Sequence, residues 1–312
     1  MESFKEGKVF VIILNYNHLD ELIITIKSFI NQNYNNLEIV VVDNASTDNS
    51  ISWVRENYPH ITIIENKVNL GWSGGNNVGI KYAMENKADF VLLANNDLYF
   101  NDSSIIETLV SDLDKLEKEN IYVAGPKVNF YPNMDKNHNE GWILYPKGEN
   151  KGKFFNVFRK DCKPDLPSAY RYVDSTDGCF FMINTKLFNT IGLLNDALFL
   201  YADEVEFSIR AWKEGFKSVI NRNLTIYHKV GTSSIPNSPL SIYYRTRNLF
   251  YIIKQFNNTI YYKALFLKGC LKLFWKILTS KKSKVEFKFR QISALKKGVF
   301  DGLFNKLGPL KS

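Results

Sequence analysis

Cysteine is scarce in this chain of 312 residues: Cys162, Cys179 and Cys270 are the three, an odd number placed far apart. That pattern argues against a disulfide framework and against a zinc cluster, and it predicts ordinary reduced thiols. No long apolar core occurs in Met1 to Lys8, so no secretory signal is expected and the chain is expected in the cytoplasm. The dinucleotide fingerprint is missing, since Gly71, Gly74 and Gly75 lack its spacing and follow the third predicted strand; this disfavours a redox Rossmann enzyme. Leu14 to Asn17 is not a basic, glycine-rich triphosphate loop, which disfavours a nucleotidyltransferase. Acidic residues are nearly absent from one end. The last 72 residues, from Ser241, hold two acids, Glu286 and Asp301, against 16 Lys and Arg, so the net charge of +8 belongs to the tail and the rest is mildly acidic. Whole-protein nucleic-acid binding is therefore a poor reading of the charge, and no nucleic-acid partner is expected.

What is present is enough apolar residue, 45% of the chain, to bury a substantial core. Val9 to Leu14 and Glu38 to Val42 are short apolar runs of the kind expected of strands buried on both faces. Between them Leu19, Leu22, Ile23, Ile26, Phe29 and Ile30 recur at helical spacing behind Asp20 and Glu21. Further helices are expected over Asp48 to Tyr58 and Ser73 to Glu85, with strands over His60 to Ile64 and Asp89 to Ala94. Such alternation predicts an α/β fold with a parallel sheet and helices on both faces. Asn129 to Tyr172 reads as a long irregular stretch, after which a strand (Cys179 to Ile183), a helix (Glu204 to Glu214), a strand (Ser218 to Ile220) and a turn-rich Gly231-Thr232-Ser233-Ser234 are expected.

Polar residues stand where the predicted strands stop: Asn15 after the first, Asp43 and Asn44 after the second, and Asn95-Asn96-Asp97 after the fourth. In a parallel sheet these ends share one rim, where ligands of open α/β folds sit. An Asx residue after a strand is also ordinary turn chemistry; three on one rim point to a ligand site. Asp97 offers an oxygen to Mg²⁺ or Mn²⁺ bridging a diphosphate, and His228, after the strand-like Leu224 to Tyr227, completes such a site. Asn69, Gly71, Gly75 and Asn76 lie in a glycine-rich segment where backbone can approach a ligand closely. Asp203, Glu204 and Glu206 crowd the start of a helix, where the macrodipole favours ionised carboxylates; capping by Asp203 is the structural alternative.

In the tail, Lys268, Lys272 and Lys276 form one stripe on the otherwise apolar and aromatic stretch Ala264 to Leu278. A lysine on each turn is costly at a bilayer centre, but such a helix can lie in the interface with its aromatic face down. Packing on the rest of the protein is the alternative. Lys281, Lys282, Lys284, Lys288, Arg290, Lys296 and Lys297 favour attachment to an anionic surface.

From Val9 to about Asn248 the chain resembles inverting GT-A glycosyltransferases of family two, and within them the rhamnosyltransferase-like branch. The resemblance is carried by Val41 to Asp48, Asn69 to Asn77, Leu93 to Asp97, Gly178 to Met182, Phe199 to Arg210, His228 and Tyr243 to Asn248. It implies a mostly parallel central sheet flanked by helices, with a catalytic domain over 1–240 and a basic helical tail over 241–312. The nucleotide-binding half would run to about 128 and the acceptor half over 129–240. It implies a nucleotide-diphosphate sugar donor, favoured as dTDP-rhamnose, a saccharide or polyprenyl-linked saccharide acceptor, and Mg²⁺ or Mn²⁺. The setting implied is cell-surface polysaccharide synthesis, with the protein peripheral on the inner face of the cell membrane. By the same resemblance Asp43 and Asn44 hold base and ribose, and Asn69 to Asn77 line the nucleotide and sugar. Asn95-Asn96-Asp97 stands in for the family's aspartate-x-aspartate motif, with Asp97 as its one carboxylate. Glu204 takes the catalytic-base position, Asp203 orienting it or binding acceptor. The rival expectations are a UDP-hexose or UDP-N-acetylhexosamine donor, and a non-catalytic, membrane-associated assembly subunit.

Overall fold

The computed structural model describes residues 6–140, 167–229, 238–256, 260–280 and 284–310. Strands and helices alternate through β1 (Val9–Asn15), α1 (Leu19–Ile30), β2 (Leu37–Asp43), α2 (Ser50–Asn57), β3 (Thr62–Glu65), α3 (Gly71–Glu85) and β4 (Phe90–Asn95). There follow β5 (Leu98–Tyr99), α4 (Ile105–Leu116), β6 (Ile121–Phe130), β7 (Asn137–Asn139), β8 (Tyr170–Val173), β9 (Phe180–Asn184), α5 (Lys186–Ile191), α6 (Asp203–Lys213) and β10 (Lys217–His228). Three long helices, α7 (Pro239–Phe256), α8 (Ile260–Thr279) and α9 (Val285–Leu303), complete the described chain.

Among the described residues all strands join one sheet in the order β3-β2-β1-β4-β9-β6-β10-β5, with β7 beside β6 and β8 beside β10. The two faces of β1 explain the layers. Val9, Val11 and Ile13 pack with α1, α2 and α4 on one side, while Phe10 and Ile12 pack with α3, α5 and α6 on the other. Both sets are fully buried, so β1 shows a continuous apolar run, not an alternating one.

The sheet is mixed. Pairs β1·β2, β1·β4, β2·β3 and β6·β10 are parallel, whereas β9 runs antiparallel to both β4 and β6. A run buried on both faces carries no mark of its direction, so the sequence pattern could not reveal this reversal. The two apolar runs Ser218 to Ile220 and Leu224 to Tyr227 belong to a single strand, β10, whose register against β6 shifts between Asn221 and Thr225. The exposed Arg222 and Asn223 occupy that irregularity and break the apolar pattern.

Helix α3 begins at Gly71, two residues before the expected start at Ser73. Its glycines serve close packing: a Cβ at Gly75 would stand 2.4 Å from Leu14 Cδ1, and one at Gly79 2.4 Å from Ile12 Cγ2. Within Asn129 to Tyr172, β6 ends at Phe130, and β7 and β8 add two short edge strands; 141–166 lies outside the described residues. So do the turn expected at Gly231 to Ser234 and Cys162, while Cys179 and Cys270 are free, buried thiols.

Helix α7 lies against α9 and α8 in a separate apolar cluster that includes Ile242, Leu249, Phe250, Phe266, Cys270, Ile277 and Leu295. Gly298 and Gly302 of α9 bring the helices almost into backbone contact: a Cβ on either would fall 2.7 or 2.8 Å from the carbonyls of Tyr243 and Arg247. Among the described residues no helix is long and apolar enough to cross a membrane.

Candidate active site

The rim predicted from the sequence exists. Parallel pairing sets Asn15 level with Asp43, and Leu14 level with Asn95, so three polar strand ends stand side by side. Asn15 Nδ2 donates to Asp43 Oδ1 at 3.1 Å, and Asn15 Oδ1 accepts from Asn96 Nδ2 at 2.7 Å. Asp43 also accepts from the Ser46 backbone N–H at 2.9 Å, which folds the loop after β2 back over the rim. Asn44 donates to Gly71 O at 2.8 Å and so ties β2 to the start of α3.

Asn69 Oδ1 accepts from the Gly71 N–H at 2.8 Å. Gly71 is required there twice over: its φ is +74°, and a Cβ would stand 2.2 Å from the carbonyl oxygen of Phe199. The next residue, Trp72, donates its backbone N–H to that same Phe199 O at 2.6 Å and its indole N–H to Asn95 Oδ1 at 3.1 Å. The end of β4 and the segment that leads into α6 therefore meet at Trp72. Asn76, buried one turn on, donates to Trp72 O at 2.9 Å, and its Oδ1 has no hydrogen-bond partner.

Asp203 and Glu204 open α6. Asp203 is buried, and burial pushes its carboxyl up to about 7, against the pull of the neighbouring Ser73 hydroxyl. Burial raises Glu204 as well, to about 8, with the Asp203 charge adding to the effect. Glu204 nonetheless keeps part of its surface open. Its carboxyl rests over Gly178, where a Cβ would sit 3.4 Å from the Glu204 carboxyl atoms. Glu206 is committed elsewhere, paired with Arg210 at 3.0 Å.

The antiparallel β5·β10 pair brings His228 opposite Leu98, and His228 Nε2 lies 3.0 Å from Asp97 Oδ1. Two residues absent from the sequence reading join them. The His138 ring stands edge-on to His228 with centroids 5.4 Å apart, and His138 Nδ1 lies 3.3 Å from Asp177 Oδ2. Asp97, His228, His138 and Asp177 thus form a row in which two adjacent imidazoles lie between two carboxylates. Burial opposes ionisation of Asp177, but the two imidazoles outweigh it and hold the carboxyl well below its usual range. His228 is raised in turn, its burial outweighed by the Asp97 and Asp177 charges. Asp177 had a signal that went unread: it stands before an apolar run, and only an antiparallel strand delivers its leading end to this rim. His138 lies in a polar stretch with no such mark.

Comparison with known proteins decides the family. The sequence profile described as glycosyl transferase family 2 matches residues 10–170, just over half of the chain. The chain belongs to glycosyl transferase family 2. Among curated relatives, a low-salt glycan biosynthesis hexosyltransferase of Haloferax volcanii is 29% identical over 208 residues, an alignment covering 65% of this chain and 61% of that one. The dTDP-rhamnosyl transferase RfbF of Shigella flexneri is 23% identical over 314 residues, covering 94% and 96%. Among solved structures, the mannosyltransferase PcManGT from Pyrobaculum calidifontis, in complex with GDP-Man and Mn²⁺, superposes with a TM-score of 0.61 at 13% identity, covering 97% of this chain and 89% of that one. At that identity the likeness shows a shared fold, the GT-A α/β fold.

The residues of this family-2 chain fit a divalent ion in one respect and limit it in another. Asp97 Oδ1 and His228 Nε2 are buried 3.0 Å apart with no other partner, and His228 Nδ1 is buried without one, so the oxygen and a neutral imidazole can both turn to a cation. Among the described residues no three of His, Cys, Asp and Glu are grouped to hold a metal. Two protein donors, with substrate oxygens filling the rest, is a usual arrangement for phosphate-bound Mg²⁺ or Mn²⁺.

The loop that leads into α6 is held from the tail. Asn248 Nδ2 lies 3.1, 2.9 and 2.7 Å from the carbonyl oxygens of Leu198, Leu200 and Tyr201, and Arg247 Nη2 donates to Leu198 O at 2.6 Å. Arg247 also donates to Gly308 O, whose own N–H reaches Ala197 O at 2.7 Å. Both side chains are buried to within 1% of full coverage.

Proposed function

We propose that this chain moves a sugar from a nucleotide-diphosphate donor to a hydroxyl of a saccharide or lipid-linked saccharide acceptor, with inversion at the anomeric carbon. The observation that carries the reading is Glu204: a half-buried residue at the start of α6 whose carboxyl is seated over Gly178 and raised by burial to about 8. A base tuned near the working pH is the group that general-base catalysis needs.

In this mechanism Glu204 accepts the proton of the acceptor hydroxyl as that oxygen bonds to C1. The C1–O bond to the diphosphate breaks on the opposite side, and the bonding pair leaves with the nucleoside diphosphate. Asp203 stays behind Glu204, raising its proton affinity. Asp43, Asn15 and Asn44 form the pocket wall for base and ribose, and Asn69, Gly71, Gly75, Asn76, Asn95 and Asn96 line the sugar and diphosphate side. Asp97 and His228 would hold Mg²⁺ or Mn²⁺, which when bound offsets charge on the departing diphosphate.

The donor we favour is dTDP-rhamnose, on the strength of the end-to-end match to the Shigella flexneri rhamnosyl transferase. A hexose donor is the second reading, supported by the higher identity to the Haloferax volcanii hexosyltransferase. The setting we propose is assembly of a cell-surface polysaccharide at the inner face of the membrane, in line with the tail's charge.

Glu204→Gln tests the base. Turnover is expected to drop by about 10²–10⁴-fold, while the thermal shift given by the donor nucleotide sugar stays near that of the wild type. Wild-type kcat is expected to rise with pH up to about 8. Turnover within tenfold of wild type in the variant removes Glu204 from the role. A thermal-shift panel of dTDP-rhamnose and UDP-hexoses, with and without Mn²⁺, separates the two donor readings.

A further inference from the structure

The expectation of a helix lying with its aromatics toward lipid meets a complication in the tail. Phe266 is buried in the cluster with α7 and α9, and Phe274 packs against it, so the aromatic face of α8 is mostly spent on the protein. What remains outward is a different stripe: Leu267, Leu271, Trp275 and Leu278, at i, i+4, i+8 and i+11, exposed by 45, 61, 62 and 41%. Next to it runs the exposed lysine row Lys268, Lys272 and Lys276. The start of α9 continues the patch, with Val285 and Phe289 exposed by 68 and 67% and Lys288 Nζ donating to Leu278 O at 3.0 Å.

We propose that the stripe Leu267–Leu271–Trp275–Leu278, extended by Val285 and Phe289, is the face that enters the interface of an anionic bilayer. This deepens the membrane setting proposed above and rests on it. Single exposed apolar residues are common, but a contiguous row on one helix face is not. The lysine row decides the occupant. Helix α8 contains no acid, and the last 72 residues carry a net charge of +14, so a second copy of this surface meets repulsion. A nucleic acid would use the lysines and leave the leucines and Trp275 uncovered. An interface rich in acidic lipid head groups takes both, with apolar side chains below and lysine stems snorkelling to phosphate.

Co-sedimentation of the full chain with phosphatidylcholine vesicles, with or without phosphatidylglycerol, tests this. The wild type is expected to bind the anionic vesicles at least tenfold better than the neutral ones. Leu271→Glu/Trp275→Glu is expected to lower partition tenfold or more without changing the melting temperature or the thermal shift given by a nucleotide sugar, since both side chains are exposed. Lys268→Gln/Lys272→Gln/Lys276→Gln is expected to reduce the preference for anionic over neutral vesicles severalfold. If the wild type binds no anionic vesicle, the membrane setting itself fails. If it binds and Leu271→Glu/Trp275→Glu binds equally well, the setting stands and this face is wrong. A dimer in sedimentation velocity that the same double variant abolishes assigns the stripe to a second copy and overturns the proposal.

Discussion

Asp203 and Glu204 are adjacent carboxyls in a place where water cannot share their charge. Asp203 is 1% exposed, and its proton is held to about 7 in the fold against an ordinary 3.8. Such a raised group contributes its full stability below about pH 4 and loses it as the pH climbs through about 7, because the unfolded chain releases the proton first. Asp203→Asn removes that loss. We expect the variant to melt higher than the wild type, with the gain growing between pH 5 and pH 8 by on the order of 2 kcal/mol. Thermal melts at the two pH values read the difference directly. A variant that is destabilised equally at both shows that Asp203 makes a specific bond, not a charge penalty. Under the proposed mechanism stability and function pull apart here: the buried acid that lifts Glu204 burdens the fold at the pH where Glu204 would act as the base.

At the scale of elements, the decisive one is the short connection into α6. Phe199, Tyr201 and Ala202 have φ of +67°, +67° and +65°, and none is glycine. Left-handed backbone at ordinary residues costs roughly 1–2 kcal/mol each, so the surroundings must hold the connection in shape. Helix α7 does so through the amide of Asn248, whose two hydrogens serve three carbonyls, and through Arg247. Because the connection ends at Asp203 and Glu204, its shape aims the carboxyl proposed as the base. Asn248→Ala is expected to lower kcat tenfold or more with the donor KM little changed, and to destabilise the fold by about 1–3 kcal/mol. Steady-state kinetics beside a denaturation curve distinguish the two effects. Lost stability with kcat intact means that Asn248 braces the fold without aiming Glu204.

For the molecule as a whole, what the sequence disclosed follows a physical division. Strands such as Val9–Asn15 and Leu37–Asp43 were legible because burial on both faces leaves an unbroken apolar run, and their polar ends announced Asn15, Asp43 and Asn95 to Asp97. Direction left no trace in composition, so the reversal of Phe180–Asn184 was hidden, and with it Asp177. Asn248 meets its carbonyls 47 to 50 residues back along the chain, a distance over which no periodicity speaks. The helical tail was visible as an amphipathic stretch, but which of its faces is spent on α7 and α9 depends on packing.

The place of β9 has a consequence for how the chain holds together. It comes from the second part of the sequence, yet it lies between β4 and β6 of the first, and β6 is flanked on its other side by β10. Removing 167–312 would leave β6 with neither of its long neighbours and β4 with a bare edge, which invites pairing with other chains. The pieces 1–140 and 167–312 are therefore expected to precipitate when made separately and to copurify as a one-to-one pair when made together. A cooperative melt from either piece alone contradicts this. The two parts of the chain are thus not modules that evolution or an engineer can exchange by cutting at the segment between them; a graft must carry the interlaced strand with it.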